Sequence, residues 1–130
     1  MNKSDIYTDT GTIAIFDLKA LEHRINDDGD WWTHEDFPEL KQELNNQNLI
    51  LINCGGDGKF SISISENQEF SGSKLNCPSG ELFIVCGEEI PAEGLIPELL
   101  RGGLIYKVKP GIVSVSYTQQ GHHINVRIHG

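Results

Sequence analysis

Strict alternation of apolar and polar residues constrains this chain more than any other feature. Residues 59–65 read KFSISIS, with Phe60, Ile62 and Ile64 on one side and Ser61, Ser63 and Ser65 on the other. Residues 123–129 read HINVRIH, where Ile124, Val126 and Ile128 oppose His123, Asn125, Arg127 and His129. Period two marks a half-buried strand, because successive side chains leave a pleated backbone on opposite faces. A chain patterned this way must cover one face of a sheet with something else.

Five further runs predict strands. TIAIF at 12–16, the apolar stretch 49–53, ELFIVC at 81–86, residues 104–109 and the alternating run 112–118 are short and rich in β-branched residues. ELFIVC is apolar on both faces, which predicts a central strand. Turn signals separate them: Asp57-Gly58 predicts a hairpin, as do Pro110-Gly111 and Gln119-Gln120-Gly121. Two stretches break the pattern with helical spacing. Asp17 stands as an N-cap before Leu18, Leu21 and Ile25, and Asn26-Asp27-Asp28-Gly29 ends that helix. Thr33 and Asp36 resemble a capping box, Pro38 sits in a first turn, and Phe37, Leu40 and Leu44 repeat along one face. Residues 66–80 read as a polar loop. The expected fold is a mainly β, single-domain sandwich over residues 1–130, with about seven strands and two short helices between the first and second.

At 130 residues the chain is one domain's length and needs no metal or disulfide to hold a core. Nineteen acidic residues face ten basic ones, for a net charge of −9. The imbalance is local: residues 1–98 hold all nineteen acids and six bases, a net of −13, and residues 99–130 hold four bases and no acid. Such a surface argues against nucleic acid and anionic membrane as partners. The amino terminus lacks an apolar secretory stretch and no run reaches a membrane span, so the expected location is the cytoplasm. Cys54, Cys77 and Cys86 are odd in number and form no C-x-x-C pair, which predicts three reduced thiols.

Most catalytic patterns fail on inspection. With Asp28 first in an EF-hand loop, position five is Trp32 and position six is Thr33 rather than glycine. CGGDGK at 54–59 misses the phosphate loop, since Asn53 stands where glycine is required and Phe60 where Ser or Thr is. His123 and His129 share a face but lie roughly 20 Å apart along a strand, too far for one metal. No nucleophile sits beside a base in any known pattern. The expectation is a protein that is not an enzyme, with no cofactor and no metal.

The stretch from Asp27 to Glu43 stands out. It carries Asp27, Asp28, Asp30, Glu35, Asp36, Glu39 and Glu43 against one base, Lys41, with Trp31 and Trp32 inside it. Tryptophan is enriched at binding hot spots, and carboxylates around it steer a basic partner. One indole is equally expected to cap the core. A second acidic group, Glu88, Glu89, Glu93 and Glu98, lies in the Gly- and Pro-punctuated connection 87–103. The candidate partner-binding residues are therefore Asp27, Asp28, Asp30, Trp31, Trp32, Glu35, Asp36, Glu88 and Glu89.

Two segments carry a resemblance. DTGTIAIFDLKALEHRINDDGDWWT at 9–33 and CGEEIPAEGLIPELLRGGLIYKVKPGIVSV at 86–115 resemble the opening and second half of a family of small, uncharacterised bacterial proteins. They cover less than half the chain. The predicted hairpin from Gly102 to Val113, a Gly-Gly followed by alternating apolar residues around Pro-Gly, is similar to that of the β-sandwich inhibitor of a bacterial DNA-uptake nuclease. Both resemblances imply a catalytically inert β-sandwich, and neither supplies a catalytic residue. The expected function is a cytoplasmic immunity or inhibitor protein that neutralises a basic toxin or nuclease through its acidic, Trp-containing surface. The alternative is a β-sandwich module that binds a small ligand, sugar or calcium over the indoles or in the 87–103 loop. A scaffold subunit is a third reading.

Overall fold

Alternation along the chain becomes two sheets that face each other. The computed structural model describes residues 2–66 and 72–129. Its strands are β1 (Lys3–Thr8), β2 (Thr12–Phe16), β3 (Ile50–Asn53), β4 (Gly58–Glu66), β5 (Ser73–Cys77), β6 (Glu81–Cys86), β7 (Leu104–Lys107), β8 (Gly111–Gln120) and β9 (His123–His129). A five-stranded sheet runs β1-β4-β9-β8-β5 and a four-stranded sheet runs β3-β2-β6-β7. Pairing is antiparallel except between β4 and β9, which run parallel with Ile62 beside Ile124 and Ile64 beside Val126. The main core lies between the sheets. Phe60, Ile62, Ile124, Val126 and Val115 from one meet Ile13, Ile15, Leu82, Ile84 and Leu104 from the other. Each such side chain contributes about 1.5–3 kcal/mol on burial, so this layer is the main source of stability.

The mainly β sandwich with two short helices is as expected, and β6 is central, between β2 and β7. Nine strands are described rather than about seven. β1 was missed because only Ile6 and Thr8 point inward and its other residues are polar. β5 lies inside the stretch expected to be loop, of which residues 67–71 fall outside the described residues. The helices therefore sit between β2 and β3. Helix α1 (Leu18–Leu21) is shorter than expected and continues as a 3₁₀ turn over Glu22–Arg24. Helix α2 spans Pro38–Asn45.

Three local expectations are corrected. Asp57-Gly58 joins β3 to β4, which belong to different sheets, so it is a crossing and not a hairpin. Pro110-Gly111 likewise carries the chain from β7 to β8 across the sandwich, so the predicted Gly102–Val113 hairpin does not exist. A turn signal specifies a reversal, not the strand that receives it. The capping box at Thr33 and Asp36 also fails. Thr33 Oγ1 donates to the Asp30 carbonyl at 2.9 Å, and α2 starts at Pro38 behind Phe37 with no side-chain cap. Asp17 does cap α1, accepting from the Lys19 amide at 2.9 Å. The Gln119–Gly121 hairpin joins β8 to β9 as predicted.

All three cysteines are free and buried. Burial, with the nearby Asp17 carboxylate adding to it, pushes the Cys77 thiol up to about 12. Burial and then Glu88 and Glu89 push Cys86 to about 11, and burial also raises Cys54. Because the thiolate is the reactive species, Ellman's reagent at pH 8 should label the folded protein on the order of a hundredfold more slowly than a free thiol. All three thiols should react at once in guanidinium. Rapid labelling of any one thiol in the native protein contradicts this placement.

Candidate functional site

The outer face of the four-stranded sheet is apolar too, and the segments between strands cover it. Ala14, Phe16 and Val85 from the sheet meet Leu21, Trp31, Trp32, Leu40, Ile90 and Ala92 in a second core. This core builds the acidic end of the molecule.

A buried ion network ties the helices together. Glu43 of α2 is fully buried. It accepts from Arg24 Nε at 2.8 Å and Asn48 Nδ2 at 2.9 Å, and it meets His23 Nε2 at 2.7 Å. Burial alone would raise its pKa. The hydrogen bonds from Asn48, His23 and Arg24 outweigh burial and hold it below the ordinary carboxylate value. The same guanidinium bonds Asp27 at 3.0 Å and the Gln42 amide oxygen, and it lies 5.6 Å over the Trp31 ring. Arg24, the nearest base to the acidic turn in sequence, is thus already engaged.

Both indoles are structural. Trp31 is 3% exposed and donates from Nε1 to the Pro91 carbonyl at 2.8 Å; Trp32 is 7% exposed. Trp32 packs against Gly87 so closely that a Cβ there would stand 2.7 Å from its Cη2. Neither indole projects from the surface as a free anchor. Residues 28–33 run as successive tight turns, with Trp31 N bonding the Asp28 carbonyl and Thr33 N that of Asp30. That path aims neighbouring side chains inward together, which neither strand nor helix period would do.

The acidic residues divide by role. Asp28, Asp30, Glu35 and Asp36 are exposed, and Asp27 is half-buried beside Arg24. Glu88 and Glu89 are half-buried and hold the fold. Glu88 accepts from Thr8 Oγ1 at 2.9 Å, Thr10 Oγ1 at 2.8 Å and the Asp9 amide at 2.7 Å, joining the 87–103 connection to the β1–β2 turn. Burial opposes its ionisation, but these bonds hold its pKa below the ordinary value. Glu89 Oε1 accepts from the amides of Glu98 and Leu99 at 2.7 and 2.8 Å.

The two acidic stretches, separate in the sequence, are joined in the structure. Gly29 N donates to Glu93 Oε1 at 3.1 Å, Glu93 N to the Asp27 carbonyl at 2.8 Å, and Gly94 N to the Ile25 carbonyl at 2.7 Å. Between them lies a groove of about 430 Å³. Its lining includes Trp32, Ile90, Leu95, Ile96 and Leu100, with Glu88, Glu89, Glu93 and Glu98. Leu95, Ile96 and Leu100 are 65%, 49% and 79% exposed. Sequence reading missed these three. Their signal was there: apolar residues in a Gly- and Pro-rich connection, with no periodicity to bury them.

Among the described residues, no group of three or more His, Cys, Asp or Glu side chains could hold a metal ion. No described helix is long and apolar enough to cross a membrane. A family model described as a family of unknown function, DUF6386, matches residues 1–129. The chain belongs to that family. Two solved structures share the fold. "Crocagin biosynthetic gene J" is 16% identical with a TM-score of 0.58, over 98% of this chain and 96% of that one. ComJ of Bacillus subtilis, described as an inhibitor of the DNA-degrading activity of NucA, is 9% identical with a TM-score of 0.53, over 99% of this chain and 93% of that one. No curated protein matches the chain.

Proposed function

We propose that this protein acts by binding, as a cytoplasmic inhibitor or immunity protein that neutralises a basic nuclease or toxin and performs no catalysis itself. One observation carries the reading: the acidic turn at residues 27–30 is hydrogen-bonded to the Glu93 end of the 87–103 connection, far away in sequence, and the glutamates of that connection line a groove beside exposed leucines. A carboxylate-rich face suits the cationic site of an enzyme that handles DNA or RNA, because charge complementarity governs encounter and register. The shared fold with a nuclease inhibitor supports the same role. Three buried thiols fit a reducing compartment.

The test takes the basic nucleases or toxins encoded nearest this chain's gene and assays each with the purified protein. It should suppress DNA or RNA cleavage by one of them. Asp28→Lys with Asp30→Lys should slow association about tenfold and flatten its salt dependence. Folding should hold, since exposed charges contribute about 0–1 kcal/mol. Cleavage by every one of them that persists at stoichiometric excess of the wild-type protein, or association indifferent to the charge reversals, refutes the proposal.

A further inference from the structure

We infer that the groove between the 90–100 loop and the 29–33 turn receives a short segment of a protein partner in which apolar side chains alternate with lysine or arginine. The inference rests on the binding reading above and names what that surface recognises. The groove's floor and wall are apolar, with Trp32 and Ile90 beneath and Leu95 and Leu100 at the side. Those two leucines are 65% and 79% exposed. Leucines left this open beside one hollow, with polar groups around them, mark a docking site. The rim is anionic. Four glutamates line the groove and no lysine or arginine does. Glu89 Oε2 is buried and accepts no hydrogen bond among the described residues, so an acceptor is left for a donor at the base.

An amphipathic cation matches both properties. Ammonium or guanidinium heads meet the carboxylates, and their aliphatic stems lie on the apolar wall. A purely apolar segment would strip water from the glutamates without replacing it, and an acidic one would be repelled.

The groove is also held in shape. Glu93 and Leu99 have φ of 53° and 58°, left-handed values that a non-glycine residue seldom adopts. They bracket residues 94–98, which carry Leu95 and Ile96, and both are tied: the Glu93 amide to Asp27, the Leu99 amide to the Glu89 carboxylate. Gly102 fixes the far end. Its φ is 88°, and a Cβ would collide with the Asp5 carbonyl of β1. Backbone held against its preference at both ends of an exposed segment is a feature of binding loops, and a preformed groove lowers the ordering cost of association.

Calorimetric titration and amide chemical-shift mapping of the full chain test this, with the peptide Lys-Leu-Lys-Leu-Lys against Lys-Ser-Lys-Ser-Lys of equal charge. The leucine peptide should bind at least about tenfold tighter, with shifts confined to residues 29–33 and 88–100. Leu95→Ser with Leu100→Ser should weaken it by about tenfold at unchanged melting temperature. Glu93→Lys with Glu98→Lys should abolish binding. Equal affinity for the two peptides, shifts that extend to Asp28, Glu35 and Asp36, or full binding by the leucine-to-serine variant overturns the inference. The two readings fail separately. If the peptide binds as stated but no nuclease or toxin encoded nearby is inhibited, the groove stands and the inhibitor role falls. If one is inhibited and the groove variants inhibit it as well as wild type, the groove falls and the inhibitor role stands.

Discussion

Replacing Glu43 with alanine should lower folding stability by about 3–5 kcal/mol, the usual penalty for removing one partner of a buried ion pair. Its side chain is fully buried and that of Arg24 is only 12% exposed. Without the carboxylate, the guanidinium keeps Asp27 and its place over Trp31 but loses its buried counter-charge. Asn48 and His23 lose an acceptor as well. The surface pair Arg101–Asp9 is a useful contrast. Its distance is also 2.8 Å, but its side chains are 41% and 74% exposed, and Asp9→Ala should cost at most about 1 kcal/mol. Acid titration checks the sign. Glu43's pKa is lowered from an ordinary 4.5, so its contribution is complete above that value and disappears as pH falls through the depressed folded-state value. The melting temperature of the wild type should fall below pH 4.5, and Glu43→Gln should weaken that fall while leaving the part due to Glu88, whose pKa is shifted the same way. An alanine variant that melts with the wild type, or a glutamine variant with an unchanged acid limb, contradicts the network's role.

Trp31→Ala should cost a similar about 3–5 kcal/mol, for a different reason. The indole fills the second core between the four-stranded sheet and the segments that cover it, and its Nε1 fastens the acidic turn to Pro91. Removing it leaves a cavity and cuts one of the ties that hold the 90–100 loop to the acidic turn. Trp31→Phe keeps most of the apolar area but strands the Pro91 carbonyl, for a loss of about 1–3 kcal/mol. Urea denaturation separates the two if the slope with denaturant is unchanged. A loss under about 1 kcal/mol for the alanine variant would mean that the second core carries little of the stability. The comparison with Leu100→Ser is diagnostic. That residue is 79% exposed, so its substitution should leave stability within about 0.5 kcal/mol while weakening partner binding. Loss of binding through Trp31 should come with unfolding; loss through Leu100 should not.

The sandwich was readable because its signal is local. KFSISIS and HINVRIH state which face is buried without reference to any partner strand, and Phe60, Ile62, Ile64, Ile124, Val126 and Ile128 are buried as their spacing requires. ELFIVC announced a central strand for the same reason, and Asp17 its cap, since a cap acts within one turn. β1 was less readable because Lys3, Ser4, Asp5 and Tyr7 outnumber its two inward residues.

The candidate site was only half readable. The sequence by itself determined that the chain is mainly β, that acids crowd residues 27–43 and 88–98, and that two adjacent indoles interrupt the first group. Tertiary structure decided the rest. It sent β3 and β4, and β7 and β8, to opposite sheets, because strand partners are chosen by how whole faces pack and not by the turn between them. It turned Trp31 and Trp32 inward together, because consecutive tight turns obey neither period. It set Glu88 and Glu89 to holding backbone amides, and left Leu95, Ile96 and Leu100 in the open beside them. Whether a carboxylate caps an amide or faces a partner depends on which donors the fold brings within 3 Å, and those that Glu88 meets lie 78 to 80 residues away along the chain.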